Sequence, residues 1–180
     1  MTTAPPPLPF INVPLPPTAP PHFAPPSFEQ TKQEAREILL AGAEYPLPPT
    51  VLRHQDRVLE RVYNLLADTG TGCHRLYVLE IAGPIPRVKI GRSNDPRGRI
   101  RGHVATSNCH QFGLIDAHVT DPVDDQLSAQ RAETEAHIGV GRRHKPMAGS
   151  REIFPHADFT FASLWADLAV IRQHNSRESW

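Results

Sequence analysis

LYVLEIAGPIPRVKIGRSNDPRGRIRGH, Leu76 to His103, is the stretch on which the fold turns. In RLYVLEI the side chains alternate, placing Leu76, Val78 and Glu80 on one face of a strand and Tyr77, Leu79 and Ile81 on the other. AGPIP is a turn and RVKIG the returning strand, so a hairpin can bring Tyr77 and Lys89 to one surface. A helix then starts, with Asp95 as N-cap and Pro96 at its first position. Ile100 and Val104 face the core, Arg99 and His103 stand together beside them, and Arg97 and Arg101 make the outer row.

Charge follows the same boundary. The net formal charge is +0, yet Arg87, Lys89, Arg92, Arg97, Arg99 and Arg101 crowd residues 87–101 against Asp95 alone. Arg142, Arg143, Lys145 and Arg151 form a second basic cluster. Local basic patches on a neutral chain suit phosphate contact at a site better than broad adhesion to a polyanion. Arg92, Arg97, Arg101, Arg142, Arg143 and Lys145 are therefore expected to contact nucleic acid.

Before this stretch, residues 1–27 carry PPPLP, PLPP and PHFAPP runs with almost no charge. Closely spaced proline favours extended backbone, so a disordered Pro-rich arm is expected, serving as a tether or docking on a partner's groove. Residues 28–70 read as a helical hairpin. Its first helix has Ser27 and Gln30 as a capping box with Ala35, Ile38 and Leu39 inward; its second has Leu52, Val58, Leu59, Val62, Leu65 and Leu66 as one stripe and Gly70 as its stop. The slightly acidic balance of this hairpin favours a brace over a DNA-binding element.

After it, QFGLIDAHVT is a third strand, and Asp121-Pro122 looks like another helix start, for a helix from about Val123 to Gly141. Ala129, Ala132, Ala136 and Val140 form the buried stripe of that helix, flanked by Glu133 and His137 on one side and Glu135 on the other. REIFP is a short strand or edge. The last 24 residues, 157–180, read as a closing helix with Phe161, Leu164, Leu168 and Ile171 inward.

The expected fold is thus α+β: a small three-stranded antiparallel sheet flanked by helices over residues 71–156, behind the hairpin and the arm. No segment has the uncharged apolar length of a membrane span, and Cys73 and Cys109 make no disulfide framework. Both point to a cytoplasmic protein with no membrane partner.

Arg75-Leu76-Tyr77, eleven intervening residues (Val78 to Val88) and Lys89-Ile90-Gly91 resemble the paired triplets of the GIY-YIG nuclease superfamily. Ser93, Asp95, Arg99 and His103 continue that signature. Glu133 with His137, and Glu152-Ile153-Phe154, resemble the E-x-x-x-H and E-W-F signatures of its phage-type DNA-binding branch, related to meiotically up-regulated proteins. The resemblance implies a domain that cuts or binds DNA with Mg²⁺ or Mn²⁺. Tyr77 would be the catalytic phenol, Arg99 the phosphate clamp and Glu133 the metal ligand. Lys89 replaces the tyrosine of the second triplet.

The chemistry agrees with those residue types. A tyrosine serves as general base only if its phenolate is stabilised, by Lys89 or a metal-bound water. Arg99 offers a planar fork matched to phosphate oxygens, His103 can relay a proton or touch the phosphate, and one carboxylate suffices for Mg²⁺, which keeps most of its waters. The expected activity is metal-dependent hydrolysis of DNA phosphodiesters; the rival is a DNA-binding module of the same fold that does not cut.

Overall fold

The computed structural model describes residues 25–67 and 72–178. Most of the Pro-rich arm, residues 1–24, and the expected stop at Gly70 lie outside the described residues. The fold is α+β. Helices α1 (Phe28–Leu40) and α2 (Pro49–Ala67) precede strands β1 (Arg75–Ala82) and β2 (Arg87–Ser93). Helix α3 (Pro96–Cys109), strand β3 (Gly113–Val119), helix α4 (Gln126–Gly141), strand β4 (Ile153–Pro155) and helix α5 (Phe159–Glu178) follow.

The sheet has four antiparallel strands in the order β3-β1-β2-β4, one more than expected. The addition is the short REIFP edge, where Val88 pairs with Phe154 and Lys89 with Ile153. Residues of β1 alternate between two cores, as their period requires. Leu76 and Val78 join Val88, Ile90 and Phe154 against α4 and α5. Tyr77, Leu79 and Ile81 join Val58, Val62, Ile100 and Val104 from α2 and α3. A third cluster, with Ala35, Leu39 and Val51 meeting Ala82 and Ile115, seats the helical brace on the sheet.

Three local expectations are corrected. In α2, Leu52 and Leu65 are exposed, whereas His54 and Gln55 are buried. The cause is β3, an edge strand whose backbone needs partners: Leu114 N donates to Gln55 Oε1 at 2.9 Å, and His54 Nε2 lies 2.8 Å from Ile115 O. Helix α4 is capped by Asp125, not Asp121, because Val123 is drawn into a bridge with His74. In α5, Leu164 and Ile171 face outward; Ala162, Ala166 and Ala169 are buried instead, opposite the alanines of α4. Small side chains on both helices permit an approach that leucine would prevent.

Candidate active site

The hairpin register determines what stands beside the phenol. Tyr77 pairs with Gly91 and Leu79 with Lys89, so Tyr77 and Lys89 share a face as expected. The Tyr77 ring crosses directly over Gly91, where an added Cβ would collide with the phenol oxygen. Glycine at 91 is therefore a requirement of space, and it ties the second triplet physically to the first.

Helix α3 supplies the partners of the phenol. Asp95 Oδ1 accepts from Gly98 N at 3.0 Å, and Pro96 opens the first turn. With the start of the helix fixed there, His103 arrives two turns later with its Nε2 2.9 Å from Tyr77 Oη. Arg99, one turn before His103, is exposed, and its charge acts on the same phenol.

Burial raises the Tyr77 pKa above its ordinary value. Arg99 opposes that rise through a hydrogen bond and its charge, while Glu152 and Glu133 reinforce it. The imidazole of His103 is pushed down to about 4, by burial first and then by the charges of Lys89 and Arg99, with Glu152 opposing. Near neutral pH the pair is thus a protonated phenol against an uncharged imidazole.

Lys89 is only 8% exposed, and its Nζ is paired with Glu152. Burial alone would raise the Glu152 carboxyl; the hydrogen bond and charge of Lys89, followed by the charges of His137 and Arg99, bring it below its usual range. Lys89 is therefore committed to Glu152. Arg92 Nε donates to Glu133 Oε2 at 3.0 Å, joining β2 to α4. His137 Nε2 sits 3.2 Å from Ile90 O and its ring lies against Phe154, a packing position.

In front of these groups lies an open, polar cavity of about 540 Å³. Its walls include Arg92, Arg99, Glu133 and Glu152, joined by Asn94 and Gln126. Tyr77, at 1% exposure, His103 and Lys89 are not among those walls; Lys89 is tied to them through Glu152. Arg97 and Arg101 are exposed on the outer side of α3. Arg142, Arg143 and Lys145 follow the end of α4, so Arg142 is roughly 13 Å of helix rise from Glu133, and none of the three is among the cavity walls.

Among the described residues no group of three or more His, Cys, Asp or Glu side chains could hold a metal ion. Glu133 remains as a cavity-lining carboxylate with one oxygen bonded to Arg92.

No family model, curated protein or solved structure matches this chain. Among the described residues, no helix is long and apolar enough to cross a membrane.

Proposed function

We propose that this protein is a DNA endonuclease of GIY-YIG type that hydrolyses phosphodiesters with the help of Mg²⁺ or Mn²⁺. The observation that carries the proposal is the Tyr77–His103 contact at 2.9 Å, with Arg99, whose charge favours the phenolate, lining the adjacent cavity. A phosphate entering that cavity meets the guanidinium groups of Arg92 and Arg99, whose planar donors match its oxygens.

The proton then has a route that needs no free phenolate. Uncharged His103 accepts the Tyr77 proton at Nε2 as the phenol takes one from the attacking water. The water oxygen bonds to phosphorus, the bond from phosphorus to the leaving oxygen breaks, the leaving oxygen takes a proton from solvent, and His103 later returns its own proton to solvent. Tyr77 is buried, so its hydroxyl must be uncovered before water can reach it. A bound Mg²⁺ or Mn²⁺ would use Glu133 and supply charge neutralisation at the phosphoryl oxygens.

The burial of Tyr77 favours a second reading, a DNA-binding module that does not cut, since the phenol is only 1% exposed. Plasmid nicking with Mg²⁺ or Mn²⁺ separates the two. For the nuclease, Tyr77→Phe, Arg99→Ala and Glu133→Ala should each slow nicking by about 10²-fold or more. Full activity in all three variants sinks the nuclease reading. Salt-sensitive DNA binding without nicking, surviving Tyr77→Phe and Glu133→Ala but weakened by changes at Arg97 or Arg101, supports the binding module.

A further inference from the structure

A second cavity of about 470 Å³ lies where the end of α2, the start of β1 and the start of α3 meet. Its volume is that of a small-molecule site. Leu66, Ala67 and Pro96 give it apolar walls, and Asn94 lines both this cavity and the polar one beside the phenol.

Two buried donors in its walls are without partners among the described residues: Arg75 Nη2 and Tyr63 Oη. Arg75 is only 6% exposed, and its Nη1 is held by Thr120 O at 2.6 Å, which fixes the guanidinium in place. Buried polar atoms left in this state cost stability unless something outside the chain satisfies them. Arg97 lies over the Tyr63 ring at 4.2 Å, so the cavity also has a flat, cationic wall.

The charge arrangement narrows the occupant. The place a phosphate would take at the start of α3 is filled by the Asp95 carboxylate, bonded to Gly98 N. What fits is an uncharged planar group with acceptor atoms at its edge, stacked against a guanidinium plane. Nucleobases are recognised in this way once they are out of a duplex.

We propose that this cavity holds an unpaired base of a DNA strand whose neighbouring phosphate occupies the Arg92–Arg99–Glu133 cavity, so that the preferred substrate carries an unpaired nucleotide. The proposal rests on the DNA reading above and adds the substrate's structure to it. Arg75 and Tyr63 satisfy the base edge, Arg97 supplies the stacking plane, and Asn94 marks the passage between base and phosphate.

The test compares the full chain, in EDTA, on two duplexes that differ only in a single bulged 2-aminopurine. The bulged duplex should bind about tenfold more tightly, and its fluorescence should change on binding as the base enters the cavity. Ala67→Trp, placed at an exposed residue ending α2, fills the space and should erase the preference while leaving matched-duplex affinity unchanged. Tyr63→Phe removes only the unpartnered hydroxyl and should lower the preference several-fold; it serves as the deciding variant should Ala67→Trp fold poorly.

Equal binding of the two duplexes overturns the base pocket alone, as does a preference that survives the substitution read. Absence of salt-sensitive binding to either duplex overturns the pocket together with the DNA reading beneath it.

Discussion

The two faces of the sheet are built from the same alternating strands and have opposite contents. On the α4–α5 side, Leu76, Val78, Val88, Ile90 and Phe154 meet a layer of alanines, and the interior is hydrocarbon. On the α2–α3 side, the same strands present Tyr77 and Lys89, and α3 answers with His103 and Arg99. Apart from the Arg92–Glu133 pair at its edge, the first face holds the sheet by hydrocarbon packing. That leaves the second free to keep a phenol, an imidazole and an ammonium group in one partly dry space, where each must be matched.

Glycine separates the two faces most strongly. An added Cβ at Gly91 would collide with the Tyr77 phenol, and one at Gly139 of α4 would collide with the Trp165 ring of α5. The clashes look alike and should differ in cost. Tyr77 is enclosed and bonded to His103, so Gly91→Ala must move a fixed ring and should destabilise by about 2–3 kcal/mol, with nicking lost. Trp165 is only partly buried and can turn outward, while alanine in a helix regains about 1 kcal/mol over glycine. Gly139→Ala should therefore stay within about 1 kcal/mol of wild type. Equal losses in chemical denaturation would show that the phenol side is no more tightly fixed than the alanine side.

The acid limb of stability sharpens the same comparison. His103 is held at about 4 in the folded chain, below its ordinary value of 6.5. The unfolded chain thus binds the extra proton first as pH falls, and stability declines from about pH 6.5 toward 4. His54, whose pKa is also lowered by burial, contributes with the same sign. Glu152, lowered by Lys89, contributes only below its ordinary 4.5, as its carboxylate becomes protonated. His103→Gln should flatten the decline above pH 4.5 without abolishing it. A midpoint of urea unfolding with the same pH dependence in both proteins would mean that the imidazole beside Tyr77 is not held uncharged by its surroundings.

Features carried by local rules were legible in the sequence. The hairpin follows from alternation and the Gly-Pro turn, α3 from Asp95 and Pro96, and the Arg99–His103 pairing from the four-residue step of a helix, whereas the register that sets Tyr77 over Gly91 and beside His103 is not fixed by alternation. Features decided by distant backbone were not. Nothing near Gln55 announces that it satisfies an edge strand 59 positions away, and nothing near Leu164 announces that alanines will take the core in its place. The cavity of Tyr63 and Arg75 belongs to this second kind. Its walls come from three separate segments, and arginine opening a strand ordinarily reads as solvated surface.

The smallest expected effect uses one helix as its own control. Glu133 and Glu135 stand two positions apart on α4 and point to different sides: Glu133 to Arg92 and the polar cavity, Glu135 to exposed Arg172 on α5. An ion pair with such an exposed partner contributes little, because water and side-chain entropy offset the attraction. Glu135→Ala should change stability by less than about 0.5 kcal/mol and leave nicking untouched. Glu133→Ala, by contrast, strips a carboxylate from the polar cavity and leaves Arg92 without its partner, so the proposed activity should fall even where the melting temperature barely moves. A nicking defect of equal size in both variants would place the effect in the packing of α4, and the difference between the two sides of the sheet would then be one of composition alone.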